Sequence, residues 1–398
     1  MTTGMFELNE PSNSAAQPNI KVIGLGGGGG NAVDNMIAAG LSGIEFIAAN
    51  TDAQALAQNR APVKLQFGRN GLGAGANPEK GREAAASESE AIKELIGDAD
   101  MVFIAAGMGG GTGTGSAPVV AQIAQEMGVL TVGVVTRPFT FENRREVAEK
   151  GIEELSKHVD SLITVPNEKL IQVLGGDFIL SKAFEYANDV LLSAVQGITD
   201  VVNRWGFINL DFEDLRTVMQ EKGYAMMGIG EAEGDDRVTK ALQEAISNPL
   251  LADTAVHNAK AILVNVTGGD DFKIDDINKV ADLVQQMSSP QCRVIYGHVH
   301  DETIGKGCRI TVIATGLTPT GETMPTTEQD PQRFSATSTN SPSYSGQQPN
   351  MNQANGTSGS AYYQQPVRPI TPSQPPQTQN FSQTDGHQAS ATGYYQPA

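Results

Sequence analysis

Two glycine-rich segments contain the residues with the clearest chemical potential in this chain. Residues 24–31 have the sequence GLGGGGGN, and residues 107–115 have the sequence GMGGGTGTG. Glycine lowers stability by roughly 0.5 to 1 kcal/mol relative to alanine in regular structure, so its concentration here needs a compensating reason. Backbone N–H groups at the start of a helix can approach and bind phosphate oxygens closely. The pair of segments therefore predicts a phosphate-binding site made of two loops.

The first segment leaves two other interpretations open. Gly24, Gly26 and Gly29 satisfy the dinucleotide fingerprint, with Glu45 as a possible ribose ligand, which is typical of a dehydrogenase. A dinucleotide needs one pyrophosphate cradle, however, and leaves the second segment unexplained. Either segment alone could also be a tight strand-to-helix turn that only glycine fits. The ATPase P-loop is excluded, because GxxxxGK[ST] does not occur in the sequence.

Short apolar runs alternate with helical patterns in the first half of the chain. Capping residues support the helices: Asn77 and Pro78 suit the start of a helix over residues 78–96, and Gly97 suits its end. Repeated strand–helix–strand units indicate a parallel sheet, in which ligands bind at the carboxyl ends of the strands. The predicted strands are residues 20–25, 44–49, 101–106, 129–135 and 161–165.

The second half of the chain begins with a long helical pattern over residues 180–205 and continues with a mixture of strands and helices. We expect strands at 224–229, 261–266, 293–298 and 310–315, and helices at 236–247 and 274–287. The expected fold is therefore α/β. It has a flexible segment (1–18), a Rossmann-like parallel-sheet domain (19–179), a connecting helix (180–205), a smaller α+β domain (206–317) and a disordered tail (318–398).

Composition excludes several functional classes. The 45 acidic and 27 basic side chains give a formal net charge of −18, which disfavours nucleic acid and anionic membranes as partners. No apolar run approaches the roughly 20 residues of a membrane span, and the N-terminus does not resemble a signal peptide. The two cysteines, Cys292 and Cys308, are too few for a disulfide framework. We expect a cytoplasmic protein that does not insert into membranes.

Several ordered motifs resemble those of the tubulin/FtsZ family. GGGTGTGSAP at 109–118 is similar to the tubulin signature, and the resemblance extends from Ile20 to Leu317. It implies a GTPase that forms head-to-tail filaments of the bacterial division ring, located at mid-cell and using GTP/GDP and Mg²⁺. The accompanying motifs are VIGLGGGGGNAV (22–33), NTDAQAL (50–56), GLGAGANP (71–78), HVDSLITVPNEKL (158–170) and NLDFEDLRTVM (209–219).

The resemblance also implies a set of nucleotide-binding residues. The phosphate loops and the γ-phosphate side would be formed by Gly27, Gly28, Gly29, Gly30, Asn31, Ala74, Gly75, Ala76, Gly109, Gly110, Gly111, Thr112, Gly113, Thr114 and Gly115. Glu142 would bind the ribose, Asn167 would contact the nucleotide, and Phe184 would stack near guanine. Asn188 and Asp189 would lie at the guanine edge. From the residues alone, Phe184 could equally be a core position of the long helix.

The residues implied for hydrolysis lie elsewhere in the chain. In the family, an acidic loop of the neighbouring subunit polarises water and helps to hold Mg²⁺, and the matching residues here are Asn209, Asp211 and Asp214. The spacing of the two acids also fits an ordinary helix cap that compensates the helix dipole. A GTP-binding structural or regulatory filament with little hydrolysis therefore stays open as an alternative.

Three segments depart from the family pattern. The basic run after Glu142 is about two residues short, which makes Arg145 the candidate for the family's nucleotide-contacting arginine. The segment before GLGAG is also short. The chain ends in GHQASATGYYQPA, without the peptide that docks division proteins and membrane anchors in the family. We therefore expect weak or absent binding to those anchors.

Two histidines in the second half invite a metal-site interpretation. His298 and His300 alternate on a predicted strand that lies near Cys292 and Cys308 in the sequence. Their spacing fits no common zinc motif, so we interpret them as ordinary strand residues and predict no protein metal site.

Overall fold

The computed structural model describes residues 17–174, 179–248, 250–251 and 253–318. The predicted flexible N-terminal segment and disordered tail lie almost entirely outside these residues. The strands are β1 Ile20–Leu25, β2 Glu45–Asn50, β3 Val63–Gln66, β4 Met101–Gly107, β5 Leu130–Arg137, β6 Ser161–Pro166, β7 Gly223–Glu233, β8 Ala261–Gly268, β9 Arg293–His300 and β10 Gly307–Leu317.

The helices alternate with these strands along the first half of the chain. They are α1 Gly26–Ala38, α2 Ala53–Gln58, α3 Pro78–Ser87, α4 Ser89–Ile96, α5 Thr112–Glu126, α6 Arg145–Ser156, α7 Asn167–Leu174, α8 Leu180–Asn203, α9 Phe212–Met219, α10 Arg237–Ile246, α11 Asp253–Asn258 and α12 Ile274–Met287. No described helix is both long and apolar enough to cross a membrane.

The described strands form one sheet in the order β3-β2-β1-β4-β5-β6-β7-β10-β8-β9. The first seven strands of this order are parallel to one another, which confirms the predicted α/β fold class. The strand order reverses at β1, whose neighbours are β2 and β4. Ligands of such sheets bind at the point where the strand order reverses.

The second half continues the same sheet. Strand β7 pairs parallel with β6, where Ser161 lies opposite Gly223, and then pairs antiparallel with β10. The antiparallel pair β10–β8 and the parallel pair β8–β9 complete the sheet. The sheet therefore runs through both halves of the chain. The division into domains at 19–179 and 206–317 stays a prediction.

The apolar core lies on both faces of the sheet. One cluster joins inward side chains of β1, β4 and β5 to helices α1 and α8, and a second joins the opposite face to α4, α5 and α6. A third cluster packs β8 and β10 against α10 and α12. These near-continuous apolar strands are typical of sheets that are covered on both faces.

The predicted single helix over residues 78–96 is wrong at its middle. Helix α3 ends at Ser87, and α4 begins at Ser89, because Glu88 leaves the helical region with φ −108° and ψ 22°. Gly81 in α3 packs directly on the backbone of Gly111 in front of α5, whereas α4 buries Ile92 and Ile96. The break lets the two helices follow different surfaces. The predicted cap is present, since the Asn77 side chain accepts from Glu79 N at 2.9 Å.

Candidate functional site

The two glycine segments lie side by side at one edge of the sheet. Strands β1 and β4 are parallel neighbours, and Leu25 at the end of β1 lies opposite Ala106 at the end of β4. Helix α1 begins at Gly26 and helix α5 begins at Thr112. The positive ends of two helix dipoles therefore share one edge, which is an arrangement suited to anions.

One group of these glycines is required by the protein's own packing. A Cβ atom on Gly29 would overlap the carbonyl oxygen of Ala105, and one on Gly115 would overlap that of Pro78. A Cβ on Gly113 would lie 2.9 Å from the oxygen of Gly107. At these positions the strand-to-helix turns and the α3–α5 contact need glycine. The interpretation of the loops as tight strand-to-helix turns that only glycine fits thus explains some of the glycines.

A second group of glycines faces open space. A Cβ atom on Gly27, Gly75 or Gly110 would meet no protein atom within 4 Å. Gly27 and Gly75 are exposed, and packing gives no reason for glycine at Gly27 or Gly110. An open backbone at a helix start leaves room for a bulky anion to reach the N–H groups. The open glycines therefore support the interpretation of the loops as a phosphate-binding site.

The loop before α3 adds a third side to this edge. Gly73 N donates to Thr51 O at 3.0 Å, which ties the loop to the end of β2. Ala74 is buried beside Gly111, whereas Ala76 is exposed with φ +57°. A non-glycine residue in the left-handed region is strained, and such strain is concentrated at functional sites.

Hydroxyl groups fix the second glycine loop. The Oγ1 atom of Thr114 accepts from Gly109 N at 2.8 Å, and that threonine is buried. Thr112 and Thr51 share a hydrogen bond between their Oγ1 atoms at 2.6 Å, which links α5 to the end of β2. The sequence did not single out Thr51 as a site residue, although it lies in the NTDAQAL motif just after a predicted strand. The loop is therefore held in one shape by its own side chains.

An aromatic cluster borders the site beyond β5. The rings of Phe139 and Phe141 are stacked with centroids 5.3 Å apart, and Phe184 meets Phe139 edge-on at 5.2 Å. Phe184 is 40% exposed, so its alternative assignment as a core residue is wrong. Glu142 accepts from Phe139 N at 2.9 Å. An exposed aromatic face at this edge can stack with a planar ring.

Polar side chains of α7 and α8 lie on the same side of the site as the aromatic cluster. Asn167 follows β6 and is 4% exposed, and its Oδ1 has no hydrogen-bond partner in the described residues. Asp189 accepts from Asn35 Nδ2 at 2.8 Å, which joins α8 to α1. Asn188, one residue earlier, is half-buried. A buried amide oxygen without a partner is unfavourable, and a ligand donor would satisfy it.

Two arginines lie at the start of α6. Arg145, the candidate from the sequence, is the first residue of that helix and is exposed. Arg144 lies against the second glycine loop, since its Cβ is 3.0 Å from the position of a Cβ built on Gly109. Sequence reasoning passed over Arg144, although it is the preceding member of the same basic run. Its backbone contact with the loop makes it a second candidate cation.

The acidic loop and the glycine loops lie at opposite ends of helix α8. The amino-terminal part of α8 reaches the glycine-loop edge through Phe184, and Asn203 at its other end donates to Gly43 O, before β2, at 3.3 Å. The helix rises about 22 Å between Asn188 and Asn203. Asn209, Asp211 and Asp214 follow that far end, so one chain does not bring its acids and its glycine loops together.

The acidic loop has its own local structure. The Oδ1 atom of Asp211 accepts from Asp214 N at 2.8 Å, so Asp211 is the N-cap of α9, as its alternative interpretation predicts. Asn209 Oδ1 accepts from Gly206 N at 2.8 Å. Both acids are exposed. The cap uses one oxygen of Asp211 and leaves carboxylate oxygens facing solvent.

Exposed apolar residues lie near the glycine loops and near the acidic loop. Leu72 is 89% exposed beside the glycine loops, whereas Trp205 and Phe207 are 69% and 65% exposed beside the acidic loop. Adjacent exposed apolar side chains such as those of Trp205 and Phe207 are typical of contact surfaces.

The chain matches known protein families over most of its described length. Residues 19–175 match the family described as "Tubulin/FtsZ family, GTPase domain", and residues 223–318 match "FtsZ family, C-terminal domain". "Cell division protein FtsZ" of Coxiella burnetii is 51% identical over 318 residues, covering 79% of this chain and 82% of that protein. Its counterpart in Azotobacter vinelandii is 53% identical over 320 residues, covering 79% and 80%.

Solved structures agree with this comparison. "FtsZ dimer, empty (M. jannaschii)" superposes with a TM-score of 0.72 at 40% identity, covering 76% of this chain and 89% of that chain. "CetZ2 from Haloferax volcanii - GTPgS bound protofilament" has a TM-score of 0.66 at 19% identity, covering 76% and 94%, which concerns the fold alone.

Proposed function

The chain belongs to the FtsZ family of tubulin-like GTPases, and from this premise we propose that each GTP is hydrolysed between two subunits of a head-to-tail filament. The glycine-loop edge of one subunit binds the nucleotide, and the acidic loop of the next subunit completes the site. The observation that carries this proposal is the position of the two parts at opposite ends of α8.

The glycine-loop edge fits a nucleoside triphosphate. The open backbone at Gly27, Gly75 and Gly110 leaves room for phosphate oxygens against two helix starts. The exposed ring of Phe184 supports guanine stacking, and the unpartnered Oδ1 of Asn167 supports a polar contact to the nucleotide. Glu142 is proposed for the ribose, Asn188 and Asp189 for the guanine edge, and Arg144 or Arg145 for phosphate charge.

The described residues also fit a magnesium ion that arrives with the nucleotide. Within them, no group of three or more His, Cys, Asp or Glu side chains forms a metal site. Nucleotide-bound Mg²⁺ keeps phosphate and water ligands and needs only one or two carboxylates. Asp211 and Asp214 of the neighbouring subunit would supply these carboxylates. The ion would neutralise charge on the phosphate oxygens.

The acidic loop supplies what the glycine loops lack. Phosphoryl transfer depends on an oriented nucleophile and on electrostatics, so a carboxylate that accepts a hydrogen bond from water has a direct role. We assign that role to Asp214, which lies in the first turn of α9 and whose carboxylate is exposed. Asp211 caps the helix through one oxygen, which leaves its second oxygen available to the same site.

This division of the site couples turnover to assembly. GTP binding permits polymerisation, the incoming subunit completes the site, and hydrolysis weakens the junction. A contact that joins different surfaces and does not close into a ring extends as a filament.

We place this filament at the mid-cell division site in the cytoplasm. Binding of the family's usual anchors through residues 386–398 is expected to be weak or absent, and micromolar capture through those residues would contradict this.

The first experiment measures GTP hydrolysis with Mg²⁺ against protein concentration, with light scattering recorded on the same samples. Specific activity that appears above a critical concentration together with scattering supports a shared site. Activity that is constant per molecule contradicts it. Scattering without turnover would instead favour the alternative of a nucleotide-binding filament with little hydrolysis.

A mixing experiment tests the shared site directly. Asp214→Ala removes the acid from one end, and Gly110→Asp places a repelling charge beside the phosphates at the other end without a steric clash. Each variant alone should be nearly inactive. A mixture should recover activity, because filaments then contain junctions that join an intact nucleotide site to an intact acidic loop. A mixture no more active than the sum of its components would contradict the proposal.

A further inference from the structure

The turn between α8 and α9 is held on the end of strand β9. His298 N donates to Ile208 O at 2.9 Å, and His300 N donates to Trp205 O at 3.3 Å. A Cβ atom on Gly206 would overlap the carbonyl oxygen of His298, so the turn lies directly on the strand. Asp211 and Asp214, the two acids of the acidic loop, follow this turn.

The side chain of His298 faces the same turn. The ring is 2% exposed, and its Nδ1 lies 3.5 Å from Phe207 N, in line to accept that hydrogen bond. The rings of Phe207 and Phe272 pack on it with centroid distances of 5.3 and 5.0 Å. Its Nε2 is buried without a partner in the described part of the chain. This environment suits a neutral ring with Nδ1 as the acceptor.

The charged groups around this ring are engaged with other partners. His300 lies 3.4 Å from Asp270, and Arg204 binds Asp301 at 2.9 Å. On the far side of Phe272, the guanidinium of Arg237 lies over the ring and binds Asp271 at 2.8 Å. Burial and the nearby His300 lower the pKa of His298 below its ordinary value of 6.5. A protonated ring would therefore be poorly compensated.

We propose that His298 is a positioning residue for GTP hydrolysis, which holds the turn at residues 204–209 on β9 and so aims the acidic loop at the nucleotide of the next subunit. The inference rests on the proposed function. The turn is rigid inside, because Asn209 Oδ1 binds Gly206 N and Asp211 caps α9. A displacement at His298 is therefore transmitted to both acids, and a shift of about 1 Å can lower turnover about 100-fold.

The arrangement predicts sensitivity to acid. The neutral ring accepts the Phe207 N–H, and protonation removes that acceptor and buries a charge. Because the pKa of His298 is lower in the folded state, its contribution to stability is present above the unfolded value of 6.5 and is lost as the pH falls through the folded value. Turnover per polymerised subunit should fall over the same range.

The test compares three variants of the full chain. His298→Leu fills the buried position with an apolar side chain and removes the acceptor, whereas His298→Asn keeps an acceptor near the position of Nδ1 and removes the titration. His257→Asn, at an exposed histidine of α11, is the matched control. GTP binding, sedimented polymer and turnover per polymerised subunit are measured between about pH 5 and 8.

We expect His298→Leu to bind GTP as the original chain does and to lose about tenfold or more in turnover per polymerised subunit. His298→Asn should retain most turnover at neutral pH and lose the decline in acid, whereas His257→Asn should keep the original profile. Turnover of His298→Leu within about twofold of the original overturns the inference. If His298→Leu does not bind GTP because it fails to fold, His298→Asn decides, and an unchanged acid decline overturns the inference.

The two proposals can fail separately. If the original chain shows turnover that is constant per molecule, the shared site is wrong whatever the variants do. If the original chain shows assembly-dependent turnover and the His298 variants match it at every pH, the shared site stands and only the role of His298 is overturned.

Discussion

The two ends of helix α8 present opposite kinds of chemistry. The glycine-loop edge is built from open backbone at Gly27, Gly75 and Gly110, whereas the far end presents the exposed carboxylates of Asp211 and Asp214. Near the glycine loops, Asp34 and Asp52 both accept hydrogen bonds from backbone N–H groups. The binding edge thus has donors and helix dipoles, and the proposed hydrolytic acids lie elsewhere.

The difference has a physical reason. A carboxylate placed permanently beside a triphosphate would repel it, because like charges at about 4 Å interact by several kcal/mol near a protein surface. Supplying the acids from another subunit separates tight binding from hydrolysis. The carboxylates then reach the phosphates only after the filament contact has formed. The following predictions test this separation of the two ends, from the largest expected effect to the smallest.

Asp214→Ala should show the largest effect and should alter only one end. Turnover is expected to fall about 100-fold or more, because the water loses its acceptor, while GTP affinity changes less than about threefold. Steady-state hydrolysis and fluorescent GTP binding check the two quantities. Glu213→Ala, at the adjacent exposed carboxylate that pairs with Arg216 at 3.3 Å, is the control and should retain turnover. Full turnover in Asp214→Ala would refute the role of this acid.

Gly110→Asp should affect the other end. A Cβ atom at this position meets no protein atom within 4 Å, so a side chain can be added, and its carboxylate would lie beside the proposed phosphate site. We expect GTP affinity to fall about 100-fold, and about tenfold or less for the isosteric Gly110→Asn, because the difference between them is charge. Equilibrium binding at two salt concentrations checks this, since screening should reduce the difference. Equal losses in both variants would show that size, rather than charge, matters here.

Gly115→Ala should separate packing glycines from binding glycines. The new methyl group would overlap the Pro78 carbonyl and push α3 away from α5, so the free energy of unfolding should fall by about 1 to 3 kcal/mol. Gly27→Ala meets nothing within 4 Å and should leave that free energy unchanged or slightly raised. Urea unfolding of the two variants is the measurement. Equal stability in both would remove the distinction between the two glycine groups.

Asp211 should show the smallest effect on stability and so distinguish its two roles. Asp211→Ala removes the cap of α9 and should lower the free energy of unfolding by about 1 kcal/mol. Asp211→Asn keeps a capping oxygen and should preserve stability, yet it should lower turnover because the charge is lost. Thermal unfolding and hydrolysis are measured on both. Normal turnover in Asp211→Asn would leave this residue a purely structural cap.

Local sequence determined the elements and the composition of the site. The predicted strand at 20–25 agrees with β1 at both ends, and the predicted helix at 274–287 agrees with α12, because burial on both faces and helical spacing leave direct patterns. The cap at Asn77 was also predictable from neighbouring residues. Strand β3 was missed because it has only four residues, of which three are half-buried and one is exposed, and so short a run gives no clear periodic pattern. The break at Glu88 was missed because it depends on where α3 and α4 pack.

Only the tertiary structure decided which glycines are open and where the acids lie. Gly27 and Gly29 each have glycine on both sides in the sequence, yet one faces empty space and the other faces the carbonyl of Ala105 on β4. The separation of Asp211 from the glycine loops depends on the direction of α8 across the sheet. Sequence patterns record local periodicity and capping, whereas a long-range contact such as that between Gly29 and Ala105 follows from the order in which strands pair.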